Sequence, residues 1–257
     1  MQGVIGSSLL KDANIGLTGQ EQSNFCPVNT KFISAYSGDI VMSVILSVIE
    51  LAGTIAFAIS GTLTAIQKQL DLFGVLILSV VTAMGGGAIR DVFLGYTPPR
   101  MFFSHQYIVS ASGVAVILFF FFKYSHQKHP NLVAHIQPLY VFCDALGLGI
   151  FSVTGTDMGI ASGYMGNLVL CIFLGTITGV GGGILRDIMC SDIPTVLCRN
   201  IYAVAAILGS GIFYLMSYLN CDRVLSSLLA IFCTTALRLL AWHYHWNLPR
   251  ITGDQMS

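Results

Sequence analysis

A chain of 257 residues that is 54% hydrophobic and only 9% charged lacks the surface charge of a soluble globule, where about a quarter of residues is usual. Its formal net charge is zero, without the basic excess that a nucleic-acid surface requires, so nucleic acid is excluded as a partner. A mean hydropathy of +0.76 points instead to an all-α polytopic membrane protein whose principal surroundings are the lipid bilayer.

Residues 1–41 are polar and rich in Gly, Ser and Asn, with no basic segment leading into a long apolar core, so they do not read as a signal peptide. This N-terminal extension is expected to be disordered. The first sustained apolar run begins near Met42, which makes that methionine a candidate translation start. Seven apolar segments follow at about 40–66, 72–94, 107–122, 139–156, 168–189, 201–219 and 224–243. Most are close to the ~20 residues that a helix needs to cross a ~30 Å hydrocarbon core, so seven transmembrane helices are expected.

The segments repeat. GGGAIRD at 85–91 returns as GGGILRD at 181–187. Upstream, Glu50, Gly53, Phe57, Ser60 and Gly61 match Asp144, Gly147, Phe151, Thr154 and Gly155 at an offset of 94; further on the offset is 96. One copy contains three helices, and an odd number of crossings puts the second copy into the membrane upside down. The domain organisation is therefore read as repeat 1 at 42–124, an inverted repeat 2 at 139–219, and a seventh helix with the C-terminal end at 224–248. Inverted repeats are a transporter and channel construction, with the working site where the repeats meet.

Lys68, Lys123, Lys128, Arg199 and Arg250 fall on one side of this topology, and Arg100 and Arg223 on the other. The positive-inside rule makes the first side cytoplasmic, with the N-terminus outside and the C-terminus inside. Ionisable groups at membrane depth are costly and are functional candidates by default. Depth along the segments predicts two acid and arginine pairs, Glu50 with Arg90 and Asp144 with Arg186, one near each mouth of a central path. Asp91 and Asp187 follow the arginines directly, so each Arg-Asp pair also suits a helix cap in which arginine offsets the negative end of the dipole.

Ser79, Ala83 and Gly87, and Gly175, Gly179 and Gly183, recur every four residues. These stripes let helices pack closely, and packing is the simpler reading. Three consecutive glycines exceed what packing needs. Gly85, Gly86, Gly87 and Gly181, Gly182, Gly183 are read as kinks where an opened helix could present backbone groups to an ion or an anion. Together with Ser79, Thr82, Thr176 and Thr178 they form the candidate path.

Other residues have plainer readings. The seven cysteines mostly fall in or at the ends of apolar runs without a CxxC spacing and read as small core residues. His126, His129 and His135 sit in a solvated loop and do not compel a metal site. The Trp242 to Trp246 stretch with His243 and His245 reads as an interfacial anchor, and Asp157 as a residue lining the outer vestibule. No HExxH, GxSxG or phosphate loop occurs, so no catalytic residue and no cofactor is assigned.

Taken together, TAMGGGAIRD and TGVGGGILRD, each preceded by a span containing SGT or TGT, resemble the bacterial membrane proteins of the glycine-transporter-domain type, relatives of the trimeric intracellular cation (TRIC) channels. The likeness covers about 42–248. It implies a protein of the bacterial inner (plasma) membrane, a homotrimer, a pore within each protomer between the repeats, and permeability to monovalent cations, chiefly potassium. The lysine-containing motif of the animal channels is missing from the second helix. Two functions remain open. One is a cation channel in which acidic residues such as Glu50, Asp144 and Asp157 favour cations. The other is a secondary transporter of glycine or another small zwitterionic amino acid, bound by glycine backbone groups and a carboxylate.

Overall fold

The computed structural model describes residues 30–103, 105–126, 136–198 and 201–246. Residues 1–43 and 44–257 form separate units. Of the first, only helical backbone from Thr30 is described, and the extension before it lies outside the described residues, as do Lys128, His129, His135, Arg199 and Arg250.

Among the described residues all regular structure is helical, joined by short turns. The elements are α1 (Thr30–Gln67), α2 (Leu72–Phe93), a 3-10 turn (Arg100–Phe102), α3 (His105–His126), α4 (Gln137–Gly159) with a π-helical extension (Ile160–Tyr164), α5 (Leu168–Met189), a short α6 (Thr195–Cys198), α7 (Tyr202–Tyr218) and α8 (Arg223–His243). Among the described residues, six stretches are long and apolar enough to cross a membrane: Val44–Gln67, α2, α3, α4 with its extension, α5 and α8. The seven expected spans are thus six long helices and one shorter apolar helix, since the segment expected at 201–219 folds as the 17-residue α7. At ~1.5 Å per residue, α7 sits at the lower limit of a bilayer crossing.

Local chemistry sets the boundaries. The side chains of Asp71, Asn167 and Asp222 accept hydrogen bonds from the backbone N–H of Gly74, Leu170 and Leu225 at 2.7, 3.0 and 2.8 Å, so α2, α5 and α8 all start on an Asx cap. Pro138 opens α4 at a position where its missing N–H costs nothing. Gly163, at φ +88°, ends the extension of α4 in the left-handed region that favours glycine. Arg90 and Arg186 lie in the last turns of α2 and α5, where a cation is favourable.

The most enclosed of the long helices is α4, which packs along α5, α7 and α8, while α5 also crosses α2. Helices α1 and α4 pass antiparallel. Gly53 lies against Ile150, Phe57 against Gly147 and Ser60 reaches Asp144, so residue numbers rise along one helix as they fall along the other.

Candidate functional site: the crossing of the two halves and the cavities beside it

The structure explains the glycine triplets by approach rather than by opening. Helical backbone continues unbroken through Gly85 to Gly87 and through Gly181 to Gly183, so no opened turn presents carbonyls or N–H groups to a ligand. A Cβ on Gly86 would fall on the carbonyl oxygen of Thr178, and one on Gly182 on the carbonyl oxygen of Thr82. Thr82 and Thr178 are themselves repeat mates, so the two contacts are one contact made twice. On either side of it, Leu185 lies over Gly85 and Ile89 near Gly181. Backbone meets backbone here, and no larger residue fits.

The candidate hydroxyls serve the same packing. Ser79 is buried and donates to the carbonyls of Ala58 (3.1 Å) and Ala111 (3.3 Å), tying α2 to α1 and α3. Thr82, Thr176 and Thr178 donate to the carbonyls four residues back in their own helices. Of the ten residues read as a path from sequence, only Gly87 lines either of the two cavities described next.

An open cavity of about 180 Å³ lies beside the crossing, walled by Glu50, Thr54, Met84, Arg90, Arg100 and Tyr107 among others, with Phe151 at its floor. A second, of about 140 Å³, shares Glu50, Arg90 and Met158 with the first and adds Asp157. The expected Glu50–Arg90 ion pair is not formed. Glu50 instead accepts a hydrogen bond from the Tyr107 hydroxyl at 2.9 Å. Arg90 turns to its neighbour, donating from Nε and Nη2 to Asp91 Oδ1 at 2.9 and 2.8 Å. The other oxygen of Asp91 accepts from the Arg100 backbone N–H at 2.8 Å and pins the loop after α2. Asp157, expected just beyond the fourth segment, lies inside α4 and forms an ion pair with Arg223.

The matching cluster in the other half is closed. Arg186 and Asp144 are fully buried and meet at 2.7 Å. The same guanidinium nitrogen donates to the Ser60 hydroxyl at 2.7 Å, while Nε holds Asp187 at 2.8 Å. Asp187 Oδ2 accepts from the backbone N–H and the hydroxyl of Thr195, both at 2.7 Å, repeating the tether that Asp91 makes. Two tyrosines close the surroundings: the Arg186 guanidinium lies 5.1 Å from the Tyr140 ring, and Arg238 of α8 lies 4.8 Å from the ring of Tyr202. Asp144 Oδ2, Arg186 Nη2 and the Tyr202 hydroxyl are buried without a hydrogen-bond partner among the described residues.

Between the two clusters, the Phe57 and Phe151 rings stack at 5.3 Å, with Phe57 filling the space that the missing side chain of Gly147 leaves. Sequence reasoning missed the tyrosines. One signal was present: Tyr107 and Tyr202 lie 95 positions apart, within the repeat offset, and they stand beside Glu50 and in the Asp144 cluster respectively. Arg238 has no repeat mate in α8, so periodicity could not have found it.

The model of the family described as Glycine transporter matches this chain twice, over residues 47–124 and 141–218. A UPF0126 membrane protein of Vibrio cholerae is 37% identical over 212 residues, covering 80% of this chain and 82% of that protein. The UPF0126 inner membrane protein YadS of Escherichia coli is 34% identical over 209 residues, covering 80% and 96%. Among solved structures, a prokaryotic TRIC channel in 0.5 M KCl is 35% identical with a TM-score of 0.70, covering 80% of this chain and all of that one. The TRIC trimeric intracellular cation channel orthologue from Rhodobacter sphaeroides is 30% identical with a TM-score of 0.71, covering 79% and 99%.

Proposed function

This chain belongs to the Glycine transporter family and is a relative of the TRIC channels, and on that premise we propose that it conducts monovalent cations, potassium above others, through a path within each protomer. The observation that carries the reading is the sequence of environments along α1 and α4. A water-accessible vestibule holding Glu50 gives way to the Phe57–Phe151 stack, and beyond the stack lies the buried Asp144–Arg186–Ser60 cluster. Charged groups this deep are costly unless they serve a path. In the closed arrangement Arg186 is held by two carboxylates. When the phenylalanines part, the unpartnered Asp144 oxygen and Tyr202 hydroxyl offer oxygen ligands to a hydrated cation.

The finer organisation follows from the same reading. The antiparallel passage of α1 and α4 supports an inverted three-plus-three repeat, with α7 as the third helix of the second copy and α8 added after it. All seven helices then cross, α7 at minimal length, and the vestibule faces outside with the N-terminus, while the C-terminus is cytoplasmic. The glycine triplets are the pivots about which α2 and α5 move. The likeness to the trimeric orthologue supports a homotrimer, and the likeness to an inner membrane protein supports the bacterial inner membrane as its location.

The test is single-channel recording from the purified protein in planar bilayers with potassium chloride. Discrete currents that reverse near the potassium potential in a gradient, and that grow more frequent in Phe57→Ala, are expected. Silence from correctly folded protein of both kinds refutes conduction.

A further inference from the structure

The charges around the outer cavity do not cancel where they stand. Both oxygens of Asp91 are engaged, by Arg90 and by the Arg100 backbone, so Arg90 and Asp91 neutralise each other. What remains is one carboxylate and one guanidinium on the wall of a single cavity. Glu50 accepts from the neutral Tyr107 hydroxyl and has no ion-pair partner within 4.0 Å among the described residues. The Arg100 guanidinium has a soft contact with Met158 Sδ at 3.1 Å and lies 4.0 Å from the Tyr96 ring, again without a carboxylate among the described residues. Ala83, Met84 and Phe151 add an apolar part to the same wall.

We propose that this cavity binds a zwitterionic α-amino acid with an apolar side chain, its ammonium on Glu50, its carboxylate on Arg100 and its side chain against Met84 and Phe151. The charge count excludes the simpler ligands. With Arg90 and Asp91 paired, a bare cation at Glu50 faces the Arg100 guanidinium and a bare anion at Arg100 faces the Glu50 carboxylate, whereas a zwitterion meets each charge with its opposite. Guanidinium suits a carboxylate because its planar fork binds both oxygens at once. Size agrees: a cavity of about 180 Å³ is well below the pockets of drug-sized ligands and suits a small molecule. The apolar wall favours leucine or methionine over glycine, which leaves it bare. In a conducting protein, an occupant here sits in the mouth of the path and blocks it from outside.

The experiment is calorimetric titration of the full-length protein in lipid nanodiscs with L-leucine, glycine, isoamylamine and isocaproate, the last two carrying one charge each. Leucine is expected to bind at least tenfold more tightly than the other three. Glu50→Gln and Arg100→Gln should each weaken leucine at least tenfold, with Arg100→Lys recovering part of the loss. Arg100 is exposed, so its replacement does not threaten the fold. Equal binding of isoamylamine and leucine, leucine binding untouched by either substitution, or no leucine binding at all overturns the site. Potassium currents from the same preparation report on conduction separately, so either reading can fail while the other stands.

Discussion

Arg186 holds Asp144 at 2.7 Å with both side chains shut away from solvent, while their repeat mates Arg90 and Glu50 line an open cavity without pairing with each other, Arg90 being held by Asp91. The arginines of both halves are buried, but Asp144 is enclosed and Glu50 is only half-buried, so the two acids should differ in their sensitivity to substitution.

Asp144→Ala leaves the buried Arg186 with Asp187 as its one carboxylate, and breaking a buried pair in this way should cost up to about 3–5 kcal/mol. Glu50→Gln leaves Tyr107 a carbonyl to donate to and removes only a charge-assisted hydrogen bond, worth about 1.5–3 kcal/mol at most. Thermal unfolding in detergent should show the first variant melting far below the second. Comparable midpoints would mean that the Asp144 pair is not enclosed.

Gly86→Ala and Gly182→Ala each drive a methyl into a backbone carbonyl, which cannot rotate aside, and should destabilise by at least ~1–3 kcal/mol. Gly113, with nothing within 4 Å of its missing Cβ, is the comparison: Gly113→Ala should leave the melting midpoint unchanged or raised, because alanine is the better helix former.

Phe57→Ala empties the centre of the stack. The cavity should cost about 3–5 kcal/mol while raising the fraction of time that the path is open in bilayer recordings. Lost stability with unaltered currents would make the stack a packing feature alone.

Lys68 and Asp192 join the loops after α1 and α5 at 2.6 Å. The hydrogen bond to Asp192 raises the Lys68 ammonium above its ordinary 10.5, with desolvation opposing. A raised lysine contributes stability that is fully present below 10.5 and is lost as pH climbs through the higher folded value. Wild type and Asp192→Asn should therefore differ in melting midpoint near neutral pH and converge once pH passes well above 10.5. Both groups are partly exposed, so the difference is small and shrinks in high salt.

The family was legible because GGGxxRD occurs twice, and the helical membrane fold because apolar runs of spanning length are hard to mistake. The role of the glycines was not. A triplet reads the same whether it opens a helix or lets another helix touch it, and only the Thr178 carbonyl over Gly86 decides. Depth placed Glu50 and Arg90 beside one cavity but did not give their partners: Arg90 reaches its own neighbour Asp91, and a one-residue choice of partner leaves no periodic trace. Arg100, spent in the sequence on orientation alone, reaches the cavity through a 3-10 turn that hydropathy does not register.

The contact of Gly86 with Thr178 and of Gly182 with Thr82 has a consequence for how the two halves are encoded. Each half offers the other the same patch, a glycine and the carbonyl four residues before it, so the crossing is isologous in the sense used for two-fold dimers. Such a surface is complementary to itself. One sequence pattern therefore builds both sides of the crossing, and the same glycine and threonine stand at matching places in the two stretches that the family model covers.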